Sequence, residues 1–399
     1  MAVLTYIPEI LEEHFEELAF LLHLRAVQVN SNQMLRRQLV DLDERLEGHI
    51  QGLLAVPEGT EALAAPHLAG KDPLNLRAAA YILLRLGLPG AVEKCLALLE
   101  NPALMPAVSD ALLLRKAPEM LAGLKKVAAG PASPAAAAAT EILAQHFPQS
   151  VNANELGKQL TDPEPAVRAG AWRAAARLGA ARPAAQYQVG IQDADAGVKL
   201  QALFAAAWAG QKMLLTQARM AAQKPTPAAL PLLQLFAVVA EAGDAPLIVG
   251  LAKADALGPA RFDVLARSGF PAAAPALLAA MKVKDPATAA AAGAAFLCLT
   301  GFDPFDGTRV PLAKSNDPFE QAFADEAAVP NPTAAETFWN GPGAALAALP
   351  RIARGIAVDP AAAPVAADLM HLDCRAFVDV HLRHYFQTGQ CKRSSELLA

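Results

Sequence analysis

A short motif that starts helices recurs along this chain and constrains its fold more than any other feature. Residues 162–168 (Asp-Pro-Glu-Pro-Ala-Val-Arg) open an apolar stripe that ends at Gly179. Residues 193–199 (Asp-Ala-Asp-Ala-Gly-Val-Lys) repeat the pattern 31 residues later, and that copy ends at Gly210. A period of about thirty residues is typical of solenoids made of stacked helical hairpins.

Weaker copies of the motif extend the repeat in both directions. One copy runs from Asp72 to Gly87, and another runs from Asp285 to Gly301. Further copies end near Arg115, His146, Gly243 and Gly269. Together the copies indicate about eight units of roughly thirty residues.

Each unit carries recognisable signals for the start and end of a helix. The Asp accepts hydrogen bonds from free N–H groups at the helix start, where Pro is also tolerated. Gly179 supplies a left-handed turn that ends the helix, and Pro183 opens a second helix. One hairpin cannot bury its apolar stripe alone, so neighbouring hairpins must stack. The motif resembles the HEAT-like repeats first noted in phycobilin lyases, and we predict an all-α, HEAT-like α-solenoid over residues 61–301.

Composition agrees with a helical protein and limits its possible partners. Hydrophobic residues make up 54% of the chain, with Ala as the most frequent of them, while aromatics make up 6%, which favours closely packed helices over a β-sandwich. The net charge is −5 and there is no basic run, so we expect no nucleic-acid partner. The four cysteines lack paired spacing, which is typical of reduced thiols in the cytosol.

Neither a secretion signal nor a membrane span is predicted. The chain starts without the basic and apolar run of a signal peptide. Its longest uncharged stretch, residues 286–302, is too short to cross a bilayer and is better explained as a buried helix. We therefore expect a soluble, cytoplasmic bacterial protein with no membrane partner.

Residues 1–60 do not fit the repeat and predict an N-terminal helical hairpin. Two apolar stripes flank a polar, Asn-rich stretch at residues 28–33. Glutamates crowd the start of the first helix, where the helix dipole favours negative charge. Glu12, Glu13 and Glu16 are candidate partner-binding residues, and the alternative is a solvated face on a capping unit.

Residues 302–343 differ from the repeat in composition and predict an irregular segment. Helices are predicted again in residues 344–399. The segment concentrates Asp, Asn, Pro and aromatic residues, and long structureless loops are often functional. Phe302, Phe305, Phe319 and Trp339 are candidate partner-binding residues. The alternative is a loop held down by its own aromatic side chains.

The N-terminal hairpin resembles a known family. Residues 10–21 read Ile-Leu-Glu-Glu-His-Phe-Glu-Glu-Leu-Ala-Phe-Leu and are followed by Arg25. Residues 42–46 read Leu-Asp-Glu-Arg-Leu and are followed by His49, Gly52 and Leu53. Both segments resemble an uncharacterised bacterial family of HEAT-repeat proteins that is commonly encoded near type VI secretion genes. The resemblance implies an accessory role in effector delivery, as an adaptor, a chaperone or an immunity protein, and it implies no catalytic residues.

Several candidate chemical sites are weaker than their structural alternatives. His371, Cys374, His381, His384 and Cys391 include residue types that zinc prefers, but their spacing matches no known finger. Acidic residues of the irregular segment could form an acid–base pair, yet any acidic loop offers such pairs (Asp303, Asp306, Glu320). We expect neither a metal nor a cofactor. Trp172 and Trp208 are interpreted as core residues, with exposed anchors as the alternative.

These observations predict a non-catalytic, protein-binding scaffold. The favoured role is an adaptor or chaperone for a type VI secretion effector. An immunity protein that blocks a cognate toxin is the alternative, and a phycobilin-lyase-like enzyme is a remote one, because fold-level analogy is a weak argument for function.

Overall fold

The computed structural model describes residues 6–179, 182–312, 326–359, 361–362 and 365–389. Phe319, Glu320 and Cys391 therefore lie outside the described residues. Helices make up most of the described chain, as the repeat predicted. They are α1 Pro8–Gln28, α2 Arg36–Leu54, α3 Pro57–Ala64, α4 Pro73–Leu86, α5 Ala91–Leu98, α6 Met105–Leu114, α7 Met120–Ala128, α8 Pro134–His146, α9 Ala153–Gln159, α10 Pro165–Leu178, α11 Ala184–Ile191, α12 Ala196–Trp208, α13 Met213–Gln223, α14 Leu230–Val239, α15 Ala245–Gly250, α16 Arg261–Ser268, α17 Ala274–Met281, α18 Pro286–Thr300, α19 Pro332–Asn340, α20 Ala366–Leu369 and α21 Cys374–Thr388.

Two compact units divide the chain after Ala209. In the first unit, α4, α6, α8, α10 and α12 form a row in which each helix packs against the next, and α1 packs on α4. In the second unit, α14, α16 and α18 form a similar row, and α21 packs on α14. The all-α class is thus confirmed, and the solenoid arrangement stays a prediction. No helix among the described residues combines the length and the apolar character needed to span a bilayer.

The N-terminal hairpin forms as its two apolar stripes predicted. Helices α1 and α2 pack together and are joined by a turn that includes the polar stretch. The buried faces of the two helices consist of Leu11, Phe15, Leu18, Ala19, Leu21 and Leu22 on α1 and of Leu39, Leu42, Leu46, Ile50 and Leu53 on α2. All of these side chains except Leu39 belong to the core cluster of the first unit.

The segment predicted to be irregular contains an antiparallel pair of strands, β1 Phe305–Pro311 and β2 Glu326–Pro330. Sequence reasoning missed this pair because β1 contains Gly307, Asp306 and Pro311, which are poor strand formers. A second small pair, β3 Ile352–Ala353 and β4 Ile356–Ala357, lies further along the chain. Strand β2 packs on α18, and so does β3.

The repeated Asp residues begin helices in two different ways. Asp72 and Asp285 are N-caps, and their carboxylates accept the N–H groups of Leu74 and Thr288. For α10 and α12, however, the N-caps are Glu164 and Asp195. The prediction that Asp162 and Asp193 cap these helices was therefore wrong by two residues. For α10, the reason is that Pro165 keeps the residue before it extended, so the helix begins later.

Asp162 and Asp193 instead shape the turn before each helix. Their carboxylates accept the N–H groups of Glu164 and Asp195, each at 2.9 Å. Arg168 donates two hydrogen bonds to the Asp193 carboxylate, at 2.7 and 2.8 Å, and two more to the backbone oxygens of Asp162 and Pro163. Arg168 therefore links the start of α10 to the turn that precedes α12.

Small residues let the central helices of the first unit approach closely. Residues 135–139 of α8 are all buried alanines, and a Cβ added at Gly170 of α10 would lie 2.8 Å from the Ala137 Cβ. Trp172 and Trp208 are 2% and 5% exposed, which confirms the core interpretation. The high Ala content therefore acts through close packing between helices.

In the second unit, residues 351–355 cap the C-terminal ends of two row helices. The Ile352 N–H donates to the Gly269 oxygen at the end of α16, at 2.8 Å. The Arg354 and Gly355 N–H groups donate to the Cys298 and Leu299 oxygens near the end of α18. The last carbonyls of a helix have no partner within the helix. The N–H groups of this segment therefore supply hydrogen-bond donors that the C-terminal ends of α16 and α18 would otherwise lack.

Candidate functional site

The acidic residues predicted on α1 lie on its exposed face. Glu12, Glu13 and Glu16 are exposed, while the opposite face of the helix is buried. Phe20 on the same helix is 53% exposed. The solvated face and the docking surface both fit this geometry, so partner binding by these glutamates stays a prediction.

The aromatic candidates after α18 pack on one another and on that helix. Phe302 stacks on Phe338 with ring centroids 4.5 Å apart, and Trp339 lies edge-on to Phe296 at 6.3 Å. Phe305 contacts α18 at Gly293, where an added Cβ would come within 2.9 Å of its ring. Phe302, Phe305 and Trp339 are each half-buried. This geometry favours the interpretation of a segment held down by its own aromatics.

The His and Cys residues near the C-terminus have structural contacts. His381 Nδ1 donates a hydrogen bond to the Phe377 oxygen at 2.7 Å, and its ring packs on Phe377. Cys374 and His384 are buried. Across the described part of the chain, no group of three or more His, Cys, Asp or Glu side chains is placed to hold a metal ion.

Acidic residues near β1 are turn residues. Asp303 accepts the Phe305 N–H at 3.0 Å, and Asp306 accepts the Thr308 N–H at 3.1 Å. Hydrogen bonds from Thr308 hold the pKa of Asp306 below its usual range. Each carboxylate therefore has a local role in shaping the backbone.

A buried cluster of charges in the second unit surrounds a cavity too small for a ligand. Arg267 of α16 donates two hydrogen bonds to Asp379 of α21, at 2.8 and 2.7 Å. These side chains, with Asp373 and Arg383, line a cavity of about 20 Å³. That volume holds about one water molecule, so the cluster has a structural role.

The first unit contains a larger cleft that is lined by arginines. It has a volume of about 290 Å³ and is formed by side chains of α1, α4, α6, α8 and α10, together with Val29 and Asn30 just after α1. Three guanidinium groups lie on its wall: Arg25, Arg77 and Arg177. Leucine side chains supply the apolar part of the lining, namely Leu22, Leu113 and Leu114. We refer to it below as the arginine cleft.

The arginines of this cleft are held by acidic and amide side chains on neighbouring helices. Arg25 Nε lies 2.7 Å from Asp43, and Arg77 Nη2 lies 2.7 Å from Asp110. Arg177 lies 3.0 Å from Glu141 and donates to the Gln145 amide oxygen at 2.6 Å. The guanidinium groups are therefore fixed in place, each with most of its side chain buried.

Asp110 and Arg77 are incompletely stabilised within the cleft. Burial raises the pKa of the Asp110 carboxyl, and the nearby charge of Arg77 only partly offsets that effect. Nε and Nη1 of Arg77 are buried and have no hydrogen-bond acceptor among the described residues. Buried donors without acceptors are rare and costly, so they point to a missing partner or an ordered water.

No protein-family model matches this chain, and no curated protein is significantly similar to it. The resemblance of the N-terminal hairpin to a family associated with type VI secretion therefore stays a prediction.

The sequence patterns include the arginines of this cleft but do not predict that Arg25, Arg77 and Arg177 lie together. Arg25 belongs to the N-terminal signature, and Arg77 follows the Asp72 helix start as Arg168 follows Asp162. Arg177 lies in the last turn of α10, where a basic residue also suits the helix dipole. The signal available was a basic residue recurring on row helices. Their convergence depends on how these helices pack.

Proposed function

We propose that this chain is a non-catalytic protein-binding scaffold, in the role of adaptor or chaperone for a type VI secretion effector. The observation that carries the proposal is the arginine cleft. Five helices build it jointly, and it combines fixed guanidinium groups with leucine side chains. Arginine is enriched at protein interfaces and at their energetic hot spots.

The structure of the lining supports recognition of an extended partner. The cleft lies across successive row helices, so a bound segment would contact several repeats at once. Its arginines are already held by Asp43, Asp110, Glu141 and Gln145. Pre-organised side chains lose little entropy on binding, which favours affinity. The resemblance of the α1–α2 hairpin supplies the secretion context.

The test compares the native chain with a cleft variant in the bacterial host that the resemblance implies. The variant is Arg77→Gln with Arg177→Gln, and the control is Arg45→Gln, an exposed arginine on α2 outside the cleft. We expect an effector to co-purify with the native chain and the control, and its secretion to fall in cells that carry the cleft variant. Circular dichroism checks that both variants remain folded.

Two outcomes would overturn the adaptor proposal. One is unchanged effector secretion in cells that lack the chain altogether. The other is a co-purifying toxin whose toxicity is relieved by co-expression of the chain while secretion is unaffected, which would select the immunity role.

A further inference from the structure

We propose that His14 and His49 make the N-terminal hairpin sensitive to pH: the two rings hold α1 against α2 at neutral pH, and this contact opens in mild acid. We refer to the two side chains as the histidine pair. This property is separate from protein binding at the arginine cleft, so neither proposal depends on the other.

The two rings of the pair meet through one nitrogen of each. His14 Nδ1 lies 3.0 Å from His49 Nδ1, and the ring planes are inclined by 70°. Two ring nitrogens at this distance form a hydrogen bond only if one carries a proton and the other presents a lone pair. A neutral imidazole can accept this bond, whereas an imidazolium cation cannot, so the contact depends on the protonation state of the pair.

Mild acid removes this hydrogen bond. Histidine side chains in general titrate near pH 6.5, and both rings of the pair are half-buried, so protons can reach them. Once the accepting Nδ1 takes up a proton, both rings are cations, neither can accept, and their facing N–H groups repel. In the unfolded chain the two rings protonate without this conflict. The stability from the contact is therefore present above the histidine range and is lost as the pH falls through it.

The histidine pair holds the end of the hairpin that is remote from the connecting turn. His14 lies in the second turn of α1, and His49 lies within the last two turns of α2. Nearer the connecting turn, Arg25 and Asp43 join the two helices at 2.7 Å. A Cβ added at Gly52 would lie 2.7 Å from His14 Nε2, so α1 and α2 approach closely at the pair. Loss of the contact should therefore loosen this end of the hairpin first.

No neighbouring carboxylate compensates for a second proton on the pair, since no described Asp or Glu forms an ion pair with either ring. The charged side chains one turn away on the same helices, or on the helices packed against them, are Glu17 on α1, Arg45 and Glu47 on α2, Glu58 and Glu61 on α3, and Arg77 and Arg85 on α4. Both arginines of α4 are bound by acidic groups, at 2.7 and 2.9 Å. The nearest other histidine along the core, His67, stacks on Phe15 with ring centroids 4.9 Å apart.

The experiment measures amide hydrogen exchange of the full chain at pH 7.5 and pH 5.0, with protection corrected for the intrinsic exchange rate at each pH. We expect protection of the amides of residues 12–18 and 47–54 to fall about tenfold at pH 5.0. That factor corresponds to about 1.4 kcal/mol, the size of one lost hydrogen bond with some repulsion. Amides near the connecting turn, in residues 22–28 and 40–43, should lose less.

Two variants and one spectroscopic signal locate the effect. His49→Asn places an amide where Nδ1 lies and does not titrate, so protection should change less than about twofold between the two pH values. His23→Asn, at an exposed histidine of α1, is the control and should follow the native chain. In the native chain, ring ¹⁵N shifts should show a proton on only one of the two Nδ1 atoms at pH 7.5 and on both at pH 5.0. This signal keeps the proposal testable if His49→Asn fails to fold.

Three results would overturn the proposal. One is equal protection of the hairpin amides at the two pH values in the native chain, or the same tenfold loss in a folded His49→Asn. The second is a pair in which neither Nδ1 carries a proton at pH 7.5. The third is a loss of equal size throughout both units, which would indicate general unfolding in acid.

Discussion

Asp373, the N-cap of α21, shows how much one buried group can matter. Its Oδ1 accepts the Ala376 N–H at 2.8 Å, whereas its Oδ2 has no hydrogen-bond partner among the described residues and lies 4.0 Å from Arg354. The residue is 1% exposed, and burial raises the pKa of its carboxyl to about 6 from an ordinary value of 3.8. The folded state therefore favours the protonated acid.

The stability of the second unit should therefore depend on pH through Asp373. Below pH 3.8 Asp373 is protonated whether folded or unfolded, and its contribution is fully present. Between pH 3.8 and about 6 the carboxyl ionises in the unfolded chain but stays largely protonated in the folded chain, so this contribution is lost progressively and is absent above about pH 6. At about 1.4 kcal/mol per pKa unit, the loss is roughly 3 kcal/mol. Asp373→Asn, which can still cap the helix, should remove it and be the more stable form at pH 7.

The measurement is urea unfolding at pH 4 and pH 7, followed by ¹⁹F NMR of 5-fluorotryptophan. The three tryptophans give separate signals, and Trp339 reports on the second unit. The exposed Asp368→Asn is the control and should follow the native chain. A native-like decline in the stability of Asp373→Asn between pH 4 and pH 7 would contradict the assignment.

At the scale of the element, glycines set how closely paired helices approach. Trp172 of α10 packs against Tyr187 of α11, with ring centroids 5.4 Å apart. A Cβ added at Gly190 of α11 would lie 2.5 Å from the Trp172 ring. In contrast, Gly48 of α2 has no atom within 4 Å of an added Cβ. The same substitution should therefore have opposite effects at the two glycines.

Gly190→Ala should destabilise the first unit by about 1–3 kcal/mol, because the indole must shift. Gly48→Ala should stabilise it by about 0.5–1 kcal/mol, because Ala has the higher helix propensity and nothing obstructs it. Urea unfolding followed at the Trp172 ¹⁹F signal tests both. Equal effects of the two substitutions would show that the α10–α11 contact is not tight.

At the scale of the whole molecule, the carbonyl groups at the C-terminal ends of the row helices need hydrogen-bond donors. In the second unit, two arginines from distant parts of the chain supply them. Arg383 of α21 donates to the oxygens of Val238 and Arg267, at 2.9 and 2.7 Å. Arg351 donates to the oxygens of Ser268 and Ala240. Both guanidinium groups complement the negative ends of α14 and α16.

Arg383→Ala should destabilise the second unit by about 2–4 kcal/mol, since it leaves buried carbonyl groups without donors. Arg383→Lys keeps the charge but cannot span two helix ends with one ammonium, so we expect partial loss. Hydrogen exchange of the α14 and α16 amides and the Trp339 signal measure both. Arg309→Ala, at a surface ion pair whose arginine is 61% exposed, is the control and should change stability by less than about 0.5 kcal/mol. An Arg383→Ala effect as small as that of the control would contradict the capping role.

The sequence by itself determined the all-α class, the N-terminal hairpin and the ends of several helices, because these depend on local signals. Asp at N-caps, glycine at left-handed turns and apolar stripes act over a few residues, and Gly87, Gly179, Gly269 and Gly301 all have positive φ. The buried positions of Trp172 and Trp208 followed from the same periodicity. A local error, the cap at Asp162 and Asp193, came from a motif that begins before its helix.

Only the tertiary structure decided which residues meet. The arginine cleft joins Arg25, Arg77 and Arg177 from three helices, and Arg351 and Arg383 bind carbonyls 83 to 145 residues away. Strands β1 and β2 form although β1 has poor strand residues, because each strand supplies the other's hydrogen bonds. Such contacts leave no periodic trace in the sequence, because they depend on how helices and strands pack in space.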